Sequence, residues 1–346
     1  MSIIPVTVPT GAIRYNTDSN KMECFDGTKW WQIAVSSPDL GNSTNSDNHG
    51  GTRGCIFGGS AIPAGTGATN IDYINISSQG NSISFGSLSY GNAYRGGCSS
   101  STRGIVWNGQ NDQTVDYFTF ASTGSGASFA EAPSDNMGGA TFSNEIKGFR
   151  AGGSDGGTHT NQILAMTIAT NSNTFFDFGD MTPTGAGTYM NGCASPTRGM
   201  MFGGATPSTP TAIDNIQYVN MGSDGNSQDF GDLLRARKYA TCFSNSTRAI
   251  TATGADASGT SLSEMEYVTM TTKGDAIDFG DAVYNSSTGM NGSCSSPTRG
   301  ILAGAYSISA HIEYVAIQTQ GNGVDFGDLT YHGYYCGGAS NGHGGL

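Results

Sequence analysis

The sequence predicts an all-β protein: a six-bladed β-propeller of four-stranded blades, preceded by a small N-terminal β-meander. Three observations support this prediction. The string DFGD occurs at 177–180, 229–232, 278–281 and 325–328, and the related strings SFGS and SFAE precede it at 84–87 and 128–131. A basic residue, usually in the context TRG, recurs with a similar period. The chain also contains 53 glycines and only 12% charged residues, which is typical of short strands joined by tight turns.

Asp-Phe-Gly is also the metal-holding signature of protein kinases, but a kinase carries it once. Here the phenylalanine recurs about every 50 residues, as expected of a structural repeat. Its positions are Phe85, Phe129, Phe178, Phe230, Phe279 and Phe326. The basic residue keeps the same period, at Arg53, Arg103, Lys147, Arg198, Arg248 and Arg299. Two independent markers with one period indicate six structural units.

Each unit divides into four short strands, which we name a to d. In one unit, strand a is the small-residue run MNGCAS, strand b is RGMMFGG and strand d contains DFGD. Strand c, such as IEYVAIQ at 312–318, is apolar on both faces, as expected for a strand between packed sheets. A GN, GD or DGN turn joins c to d and favours a hairpin. Four antiparallel strands repeated about every 50 residues indicate propeller blades; a solenoid would have shorter or helical repeats and caps.

The two ends of the repeat region predict how the propeller closes. The segment before the first unit, GNSTNSDNHG at 41–50, is polar and does not read as a strand. The segment YHGYYCGGASNG at 331–342 resembles strand a, with Cys336 matching Cys98, Cys193 and Cys294. We therefore expect the C-terminal segment to supply the innermost strand of the first blade. The predicted organisation is an N-terminal module at 1–35, a linker at 36–50 and the propeller at 51–346.

Composition excludes several classes of function. A net charge of −12 argues against binding nucleic acid through phosphates and against a basic membrane-surface role. No apolar run approaches the ~20 residues of a membrane span, and no secretory signal precedes the repeats. The chain is expected to fold in a cytosol, where disulfides are rare. The seven cysteines form no C-x-x-C pair, so we expect no zinc site and no cofactor.

The segment GAIRYNTDSNKMECFDGTKWWQIA at 11–34 differs from the repeats. Its alternating residues and two turns predict a β-meander, which is too small to fold alone. It therefore needs a partner surface, and the residues expected to form this attachment module are Arg14, Tyr15, Phe25, Trp30 and Trp31.

The repeat order resembles that of the kelch-type β-propeller: strand a, a basic residue, strand b ending in a double glycine, a tyrosine in strand c and an aromatic in strand d. Gly58–Gly59, Gly152–Gly153 and Gly203–Gly204 match the kelch double glycine. The sequence departs from this pattern at Asn108–Gly109, Thr253–Gly254 and Gly304–Ala305, and Phe replaces the kelch tryptophan of strand d. The resemblance implies a fold but not a function.

The N-terminal string GAIRYNTDSNKMECFDGTKW resembles a segment of tail-fibre and other virion proteins of tailed bacteriophages. The glycine-rich repeats are similar to those of structural proteins from marine and cyanobacterial phages. This resemblance implies a virion protein that folds in the host cytoplasm and is displayed on the particle surface. It also implies that the N-terminal module contacts other virion proteins, with a homotrimer as its expected oligomer.

The repeated charged residues are expected to be structural. We expect the repeat arginines (Arg53, Arg103, Arg198, Arg248 and Arg299) to contact the repeat aspartates (Asp180, Asp232, Asp281 and Asp328) once per blade. The alternative is that these aspartates bind metal. The recurring cysteines are expected to be small hydrophobic residues near the axis, and a metal-binding ring is the alternative.

The connections from strand d to strand a carry the candidate binding residues, because these loops converge on one face of a propeller. Tyrosine interleaved with polar groups suits recognition of a sugar or a protein. The receptor-binding candidates are Tyr90, Tyr94, Arg95, Tyr189, Arg235, Arg237, Tyr239, Tyr284, Tyr331, His332 and Tyr334, with Lys238 and Tyr335 in the same connections. The alternative is that several of these tyrosines pack between blades.

No catalytic residue is predicted. The five histidines, at positions 49, 159, 311, 332 and 343, match no metal or nucleophile spacing, and the sialidase-type box is absent. The expected function is therefore that of a non-enzymatic phage structural protein. We expect a tail-fibre or tail-tip adhesin for a host surface glycan or protein. The alternatives are an architectural or decoration protein of the capsid, neck or baseplate and, third, a polysaccharide-degrading enzyme with paired carboxylates.

Overall fold

The computed structural model describes residues 8–16, 21–32, 52–62, 65–171, 174–182, 187–206, 211–286, 292–305 and 310–342. Within these ranges the protein is all-β, which confirms the predicted class. The described residues include no helix long and apolar enough to cross a membrane. The chain divides into two compact units, Met1–Asn48 and His49–Leu346. The predicted linker at 36–50 lies outside the described residues.

The first unit contains a three-stranded antiparallel sheet of Ile13–Asn16, Lys21–Phe25 and Trp30–Gln32, in that order. Its register aligns Ile13 with Cys24 and Cys24 with Trp31. Side chains alternate between the faces of a strand. These three residues therefore share one face of the sheet, and Trp30 lies on the other.

The second unit contains six four-stranded antiparallel sheets, each in the order a-b-c-d. Sheet 1 is Gly337–Ser340, Arg53–Phe57, Asn70–Asn75 and Ile83–Ser87. Sheet 2 is Gly97–Ser99, Arg103–Val106, Thr114–Thr119 and Ala127–Glu131. Sheet 3 is Ala140–Ser143, Lys147–Ala151, Gln162–Thr167 and Phe176–Asp180.

Sheet 4 is Asn191–Ala194, Arg198–Phe202, Ile213–Asn220 and Gln228–Arg237. Sheet 5 is Thr241–Ser244, Arg248–Ala252, Leu262–Thr269 and Ile277–Ser286. Sheet 6 is Gly292–Ser295, Arg299–Ala303, His311–Ala316 and Val324–Asp328. Two short ribbons pair Ser60–Ala61 with Gly333–Tyr334, and Ser154–Asp155 with Thr158–His159.

The C-terminal segment supplies strand a of sheet 1, where Ser340 pairs with Gly54 and Ala339 with Cys55. The predicted alignment of Cys336 was wrong by three residues. Cys98 pairs with the second residue after the repeat arginine, and in sheet 1 Ala339 holds that position. The neighbouring position admits only glycine, because a Cβ on Gly338 would lie 2.1 Å from the Ser293 carbonyl oxygen.

Strand a of each sheet contacts strand a of the sheets before and after it, and the series returns from sheet 6 to sheet 1. Serine hydroxyls join these strands. Ser99 Oγ donates to the Ser340 carbonyl oxygen at 2.8 Å, Ser143 Oγ to Ser99 at 2.8 Å and Ser340 Oγ to Ser295 at 2.6 Å. These serines are the last residues of their strands a. In sheet 4 the equivalent residue is Ala194, which has no hydroxyl to donate to sheet 3.

The DFGD motif, or its counterpart SFGS in sheet 1, joins a sheet to the next at five seams of the described residues. Between sheets 3 and 4, the carbonyl oxygens of Phe178 and Asp180 accept hydrogen bonds from the N–H groups of Gly225 and Ser227, at 2.8 and 2.9 Å. The central Gly179 has φ +150°, and a Cβ there would lie 2.5 Å from the Gly225 backbone. The donors belong to the c–d turn of sheet 4, so the DFGD motif of one sheet contacts the c–d turn of the next. The same bonds join sheets 1 to 2, 4 to 5, 5 to 6 and 6 to 1.

The expected arginine–aspartate contact is wrong. In sheet 6, Arg299 pairs with Ala316 at one end of strand c, and Asp328 pairs with His311 at the other. At about 3.3 Å per residue, five residues separate the two ends by about 16 Å. Among the described residues, no ion pair joins a repeat arginine to a repeat aspartate.

Each repeat arginine instead stacks on the strand-c tyrosine and donates to the next sheet. The Arg299 guanidinium lies 4.6 Å from the Tyr314 ring centroid and donates at 3.0 Å to the Ile76 carbonyl oxygen in sheet 1. Tyr314 in turn packs edge-on against Phe326 of the DFGD motif at 6.0 Å. The equivalent stacks are Arg53 on Tyr73, Arg103 on Tyr117, Arg198 on Tyr218 and Arg248 on Tyr267. In sheet 3, Lys147 contacts Phe176.

A buried polar residue in strand c forms a further link that the sequence analysis missed. It accepts the N–H of the fourth residue after the DFGD phenylalanine of the preceding sheet. Thus Glu313 accepts from Val283 at 2.6 Å and Gln217 from Thr182 at 3.0 Å. The other acceptors are Asp72 from Thr330, Asp116 from Ser89 and Glu266 from Leu234. Between sheets 2 and 3 the donor position is Pro133, which has no N–H, and the acceptor position is the apolar Leu164.

Candidate binding end

The connections that follow strands b and d leave from the same end of each antiparallel sheet, which we name the binding end. Four tyrosines occupy the same position there, shortly before strand a: Tyr94, Tyr189, Tyr239 and Tyr335. Each has φ of 58–60°, in the left-handed region. Only two other described non-glycine residues, Asn111 and Thr253, have positive φ.

This backbone conformation is costly for a large side chain. For an L-residue, the left-handed region costs roughly 1–2 kcal/mol relative to the right-handed one. In sheet 3 the equivalent residue is Gly138, with φ +69°, for which the cost is absent. Strained backbone of this kind concentrates at functional sites. The fold therefore accepts glycine at this position, yet four sheets have tyrosine.

The four rings form two close pairs, one stacked and one tilted, which we name the tyrosine cluster. The ring centroids of Tyr94 and Tyr335 are 3.9 Å apart, and those of Tyr189 and Tyr239 are 4.3 Å apart. The two pairs meet at 6.0 Å between Tyr94 and Tyr189, and at 6.2 Å between Tyr239 and Tyr335. A Cβ on Gly138 would lie 2.7 Å from the Tyr189 nitrogen. Glycine at position 138 therefore leaves room for the backbone of Tyr189, whose ring contacts those of Tyr94 and Tyr239.

All four tyrosines are half-buried, so part of each side chain faces solvent. Burial, followed by hydrogen bonding to Tyr335, raises the pKa of Tyr94 well above its usual value. Burial and the neighbouring phenols raise the pKa of Tyr239 in the same direction. These two phenols are therefore uncharged at neutral pH. They offer aromatic carbon together with hydroxyl groups that donate and accept hydrogen bonds.

Strand a of all six sheets lines a cavity of about 70 Å³, and the four tyrosines precede four of these strands along the chain. Cys98, Cys193, Cys242 and Cys294 line this cavity and are buried. Burial raises the pKa of the Cys98 and Cys294 thiols to about 12, so they behave as small hydrophobic groups. In the described part of the chain, no three His, Cys, Asp or Glu residues are grouped so that they could hold a metal ion.

Two predicted receptor contacts, Arg95 and Arg237, are wrong because their side chains are fully buried. Arg95 bonds Asp112 and lies 3.8 Å from Asp116. Arg237 bonds Glu266 and donates to the carbonyl oxygens of Thr253 and Glu264 at 3.2 and 2.8 Å. A charge removed from water is retained only where it is paired. Both arginines therefore hold the binding end together and are out of reach of a ligand at its surface.

The other candidates divide between packing and exposure. The Tyr331 hydroxyl donates to the Gly58 carbonyl oxygen at 3.1 Å, which is a packing contact. Tyr334 is half-buried, 4.7 Å from the Tyr335 ring. Tyr284 is 43% exposed and packs against His311. Tyr90, His332 and Arg235 are exposed.

The sequence analysis also missed a charged cluster at this end. The carboxyl groups of Asp135 and Asp155 share a hydrogen bond, which is the largest influence raising the pKa of Asp135. Arg150 is buried nearby; burial lowers its pKa to about 10, against the opposing influence of the two carboxylates. Arg150 Nη1 donates to Asn108 Oδ1 at 2.8 Å. These residues fall outside the repeat markers, so no periodic signal identified them.

In the N-terminal sheet, Asp26 fixes the turn formed by the string DGTKW. Its carboxylate accepts hydrogen bonds from the N–H groups of Thr28 and Lys29, at 2.7 and 2.8 Å, and from the Trp31 indole. These bonds lower the pKa of Asp26 and lock the turn.

The two faces of the N-terminal sheet differ in their contacts. On one face Arg14 bonds Glu23 at 2.8 Å and covers the Trp30 ring, which packs against Phe25 at 5.2 Å. The opposite face is apolar and exposed, with fractional exposures of 40–61%. Its exposed residues are Ile13, Tyr15, Met22 and Trp31, and the half-buried Cys24 lies among them. The attachment residues predicted from the sequence therefore lie on both faces.

None of the protein-family models compared with this sequence matches it, and a search of curated proteins found no match. The resemblances to kelch-type repeats and to phage proteins therefore rest on the quoted motifs.

Proposed function

We propose that the six sheets are the blades of a closed propeller, with strand a innermost and the C-terminal segment completing the first blade. The series of strand-a contacts that returns to sheet 1 supports this arrangement. The hydrogen bonds from sheet 6 to sheet 1 support it as well, since Arg299 donates to Ile76 just as Arg248 donates to Ile317. A closed ring leaves no sheet without a neighbour on either side.

We propose that the protein is a non-enzymatic structural protein of a tailed phage, and that it acts as a tail-fibre or tail-tip adhesin for a host surface glycan or protein. The observation that carries this proposal is the tyrosine cluster. Its four left-handed tyrosines keep a costly conformation where glycine would serve the fold. The cluster presents neutral phenols and aromatic carbon, which suit binding. The source of the protein is proposed from the N-terminal string, which resembles that of phage virion proteins.

The N-terminal sheet supports attachment to other virion proteins. Its exposed face of Ile13, Tyr15, Met22 and Trp31 is largely apolar, with the Lys29 ammonium group 4.0 Å from the centroid of the Trp31 ring. A three-stranded sheet of this size gains independent stability when such a face is covered. The same observation favours the second candidate, an architectural protein of the capsid, neck or baseplate, in which protein contacts would be the whole function.

The test is binding of the full chain to intact candidate host cells, beginning with marine cyanobacteria. We expect saturable binding that blocks adsorption of the phage. Absence of binding by folded protein to cells that the phage infects would reject the adhesin. Gold-labelled antibody on intact particles then separates the candidates, because an adhesin is expected at the tail tip or fibres and an architectural protein at the capsid, neck or baseplate.

A further inference from the structure

We infer that the tyrosine cluster is the ligand contact of the binding end and that its ligand is an uncharged saccharide. The inference rests on the proposed binding function and narrows it to one chemical class. It draws on two sets of observations, the charges that surround the cluster and the chemistry of the phenols.

The arginines of the binding end offer little net positive charge to an anionic ligand, because each of them is paired with or lies near carboxylates. Arg95 lies between Asp112 and Asp116. Arg235 bonds Asp256 at 2.7 Å and Glu264 at 2.9 Å. Two carboxylates around one guanidinium leave a net negative charge. A sulfated, phosphorylated or uronic-acid ligand would therefore meet repulsion at this end.

Arg150 follows the same pattern, because it is buried and interacts electrostatically with the hydrogen-bonded carboxyl groups of both Asp135 and Asp155. These groups belong to sheets 2 and 3, whereas Arg235 and its partners belong to sheets 4 and 5. The excess of carboxylates therefore occurs at two separate pairs of sheets.

A cationic ligand is disfavoured at the cluster itself. The Lys238 ammonium group lies 5.8 Å from the centroid of the Tyr239 ring, so a positive charge already lies beside this aromatic surface. A second cation over the same rings would be repelled by it. Carboxylates at the periphery and an ammonium group at the centre together favour a ligand without net charge.

The phenols fit a saccharide. Tyrosine presents an apolar ring edge beside a hydroxyl, and a pyranose presents C–H groups beside hydroxyls. Side-chain hydrogen bonds connect Tyr94 to Tyr335 and Tyr239 to Tyr189. A hydroxyl has one donor and two acceptor sites, so each hydroxyl in such a pair retains hydrogen-bonding capacity. The paired hydroxyls can therefore bond sugar hydroxyls without breaking the cluster.

The first experiment uses cells that bind the full chain. Their surface polysaccharide is extracted, separated by anion exchange into neutral and charged fractions, and used to compete with the cells. We expect the neutral fraction to compete and the charged fraction not to. Periodate, which cleaves sugar diols, should abolish binding to the cells, and protease treatment of the cells should not.

The second experiment tests the tyrosines with the double variant Tyr94→Gly/Tyr335→Gly. Glycine relieves the left-handed strain, as Gly138 does in sheet 3, so the variant is designed to fold. We expect at least a tenfold loss of cell binding with an unchanged circular dichroism spectrum. Ile146→Ala is the matched control, because Ile146 is 64% exposed in an a–b turn at the opposite end of the sheets. Should the glycine variant not fold, Tyr94→Phe/Tyr239→Phe replaces it. This variant removes only the hydroxyls, so it should lose hydrogen bonds to the sugar and weaken binding severalfold.

The possible outcomes distinguish the inference from the proposed function. Competition by the charged fraction only, or loss of binding after protease, would overturn the saccharide inference and leave the adhesin intact. Full binding by a folded tyrosine variant would overturn the assignment of the cluster. Failure of the chain to bind any cell that the phage infects would reject the adhesin and the inference with it.

Discussion

At the scale of single residues, buried polar side chains illustrate how one position of the repeat can be filled in different ways. Glu313 and Gln217 occupy the same place in strand c and accept the same kind of backbone N–H bond. The carboxyl of Glu313 pays a desolvation cost that the amide of Gln217 avoids. Burial raises the pKa of Glu313 from 4.5 to about 7. Nearby Asp325 adds to this effect, and the Val283 N–H opposes it.

This pKa shift predicts a pH dependence of stability. A carboxyl whose folded pKa is raised stabilises the protein below its unfolded pKa of 4.5, and that contribution is lost as the pH rises through about 7. Glu313→Gln should therefore leave stability near pH 4.5 almost unchanged and raise it at pH 8. At 1.36 kcal/mol per pKa unit, the gain at pH 8 is at most about 3 kcal/mol. The measurement is urea unfolding of both proteins from pH 4.5 to 8.

Titratable neighbours do not obscure this comparison, because His311 and Asp325 remain in both proteins. The His311 Nε2 lies 4.0 Å from Glu313, and burial lowers the pKa of His311. The difference between the two unfolding curves therefore isolates Glu313. Parallel pH profiles for the wild type and the variant would show that Glu313 titrates normally.

At the scale of elements, the DFGD motif is an intersheet joint. Gly231 at its centre has φ +153°, and a Cβ there would lie 2.5 Å from the Gly274 carbonyl oxygen. We expect Gly231→Ala to destabilise the protein by about 2–4 kcal/mol, because strain and a backbone clash combine. Gly222→Ala is the control, since a Cβ at Gly222 meets nothing within 4 Å. Thermal and urea unfolding give the stability of both variants. Equal stabilities of the two variants would contradict the role of the DFGD motif as an intersheet joint.

The seam between sheets 2 and 3 offers a test of the strand-c link. There the donor position is Pro133 and the acceptor position is Leu164. Leu164→Gln alone should destabilise, because it buries an unsatisfied amide. Adding Pro133→Ala supplies an N–H for that amide to accept. The double-mutant cycle should therefore give a favourable coupling of about 1 kcal/mol, and a coupling near zero would show that the link contributes nothing.

At the scale of the whole molecule, the C-terminal strand links sheet 1 to sheets 2 and 6. Gly337–Ser340 pairs with Arg53–Phe57, and Ser340 bonds the strands on both of its sides. We expect truncation after Cys336 to lower the melting temperature by about 10 °C or more, because sheet 1 loses the whole of its strand a. Deleting residues 1–48, which form a separate compact unit, is the control and should leave the main transition in place. Equal melting of the two truncations would contradict the role of this strand.

Much of the fold was predictable because it is periodic. The Phe of DFGD and the basic residue recur together, so six units of four strands follow from spacing alone. The candidate site was less predictable. Tyr94, Tyr189 and Tyr239 were identified by their place before strand a, but Arg95 and Arg237 in the same connections are buried. A sequence shows which residues lie in a loop, whereas burial depends on what neighbouring sheets place over that loop.

By itself the sequence determined the strands, their order, the turns between them and the C-terminal origin of strand a in sheet 1, because local patterning and spacing encode these. Only the tertiary structure decided which residues meet. It separated the repeat arginines from the repeat aspartates, because antiparallel pairing sends them to opposite ends of strand c. It also brought together four tyrosines from four sheets in the left-handed conformation. Contacts between distant segments depend on the register and the packing of sheets, which no local pattern records.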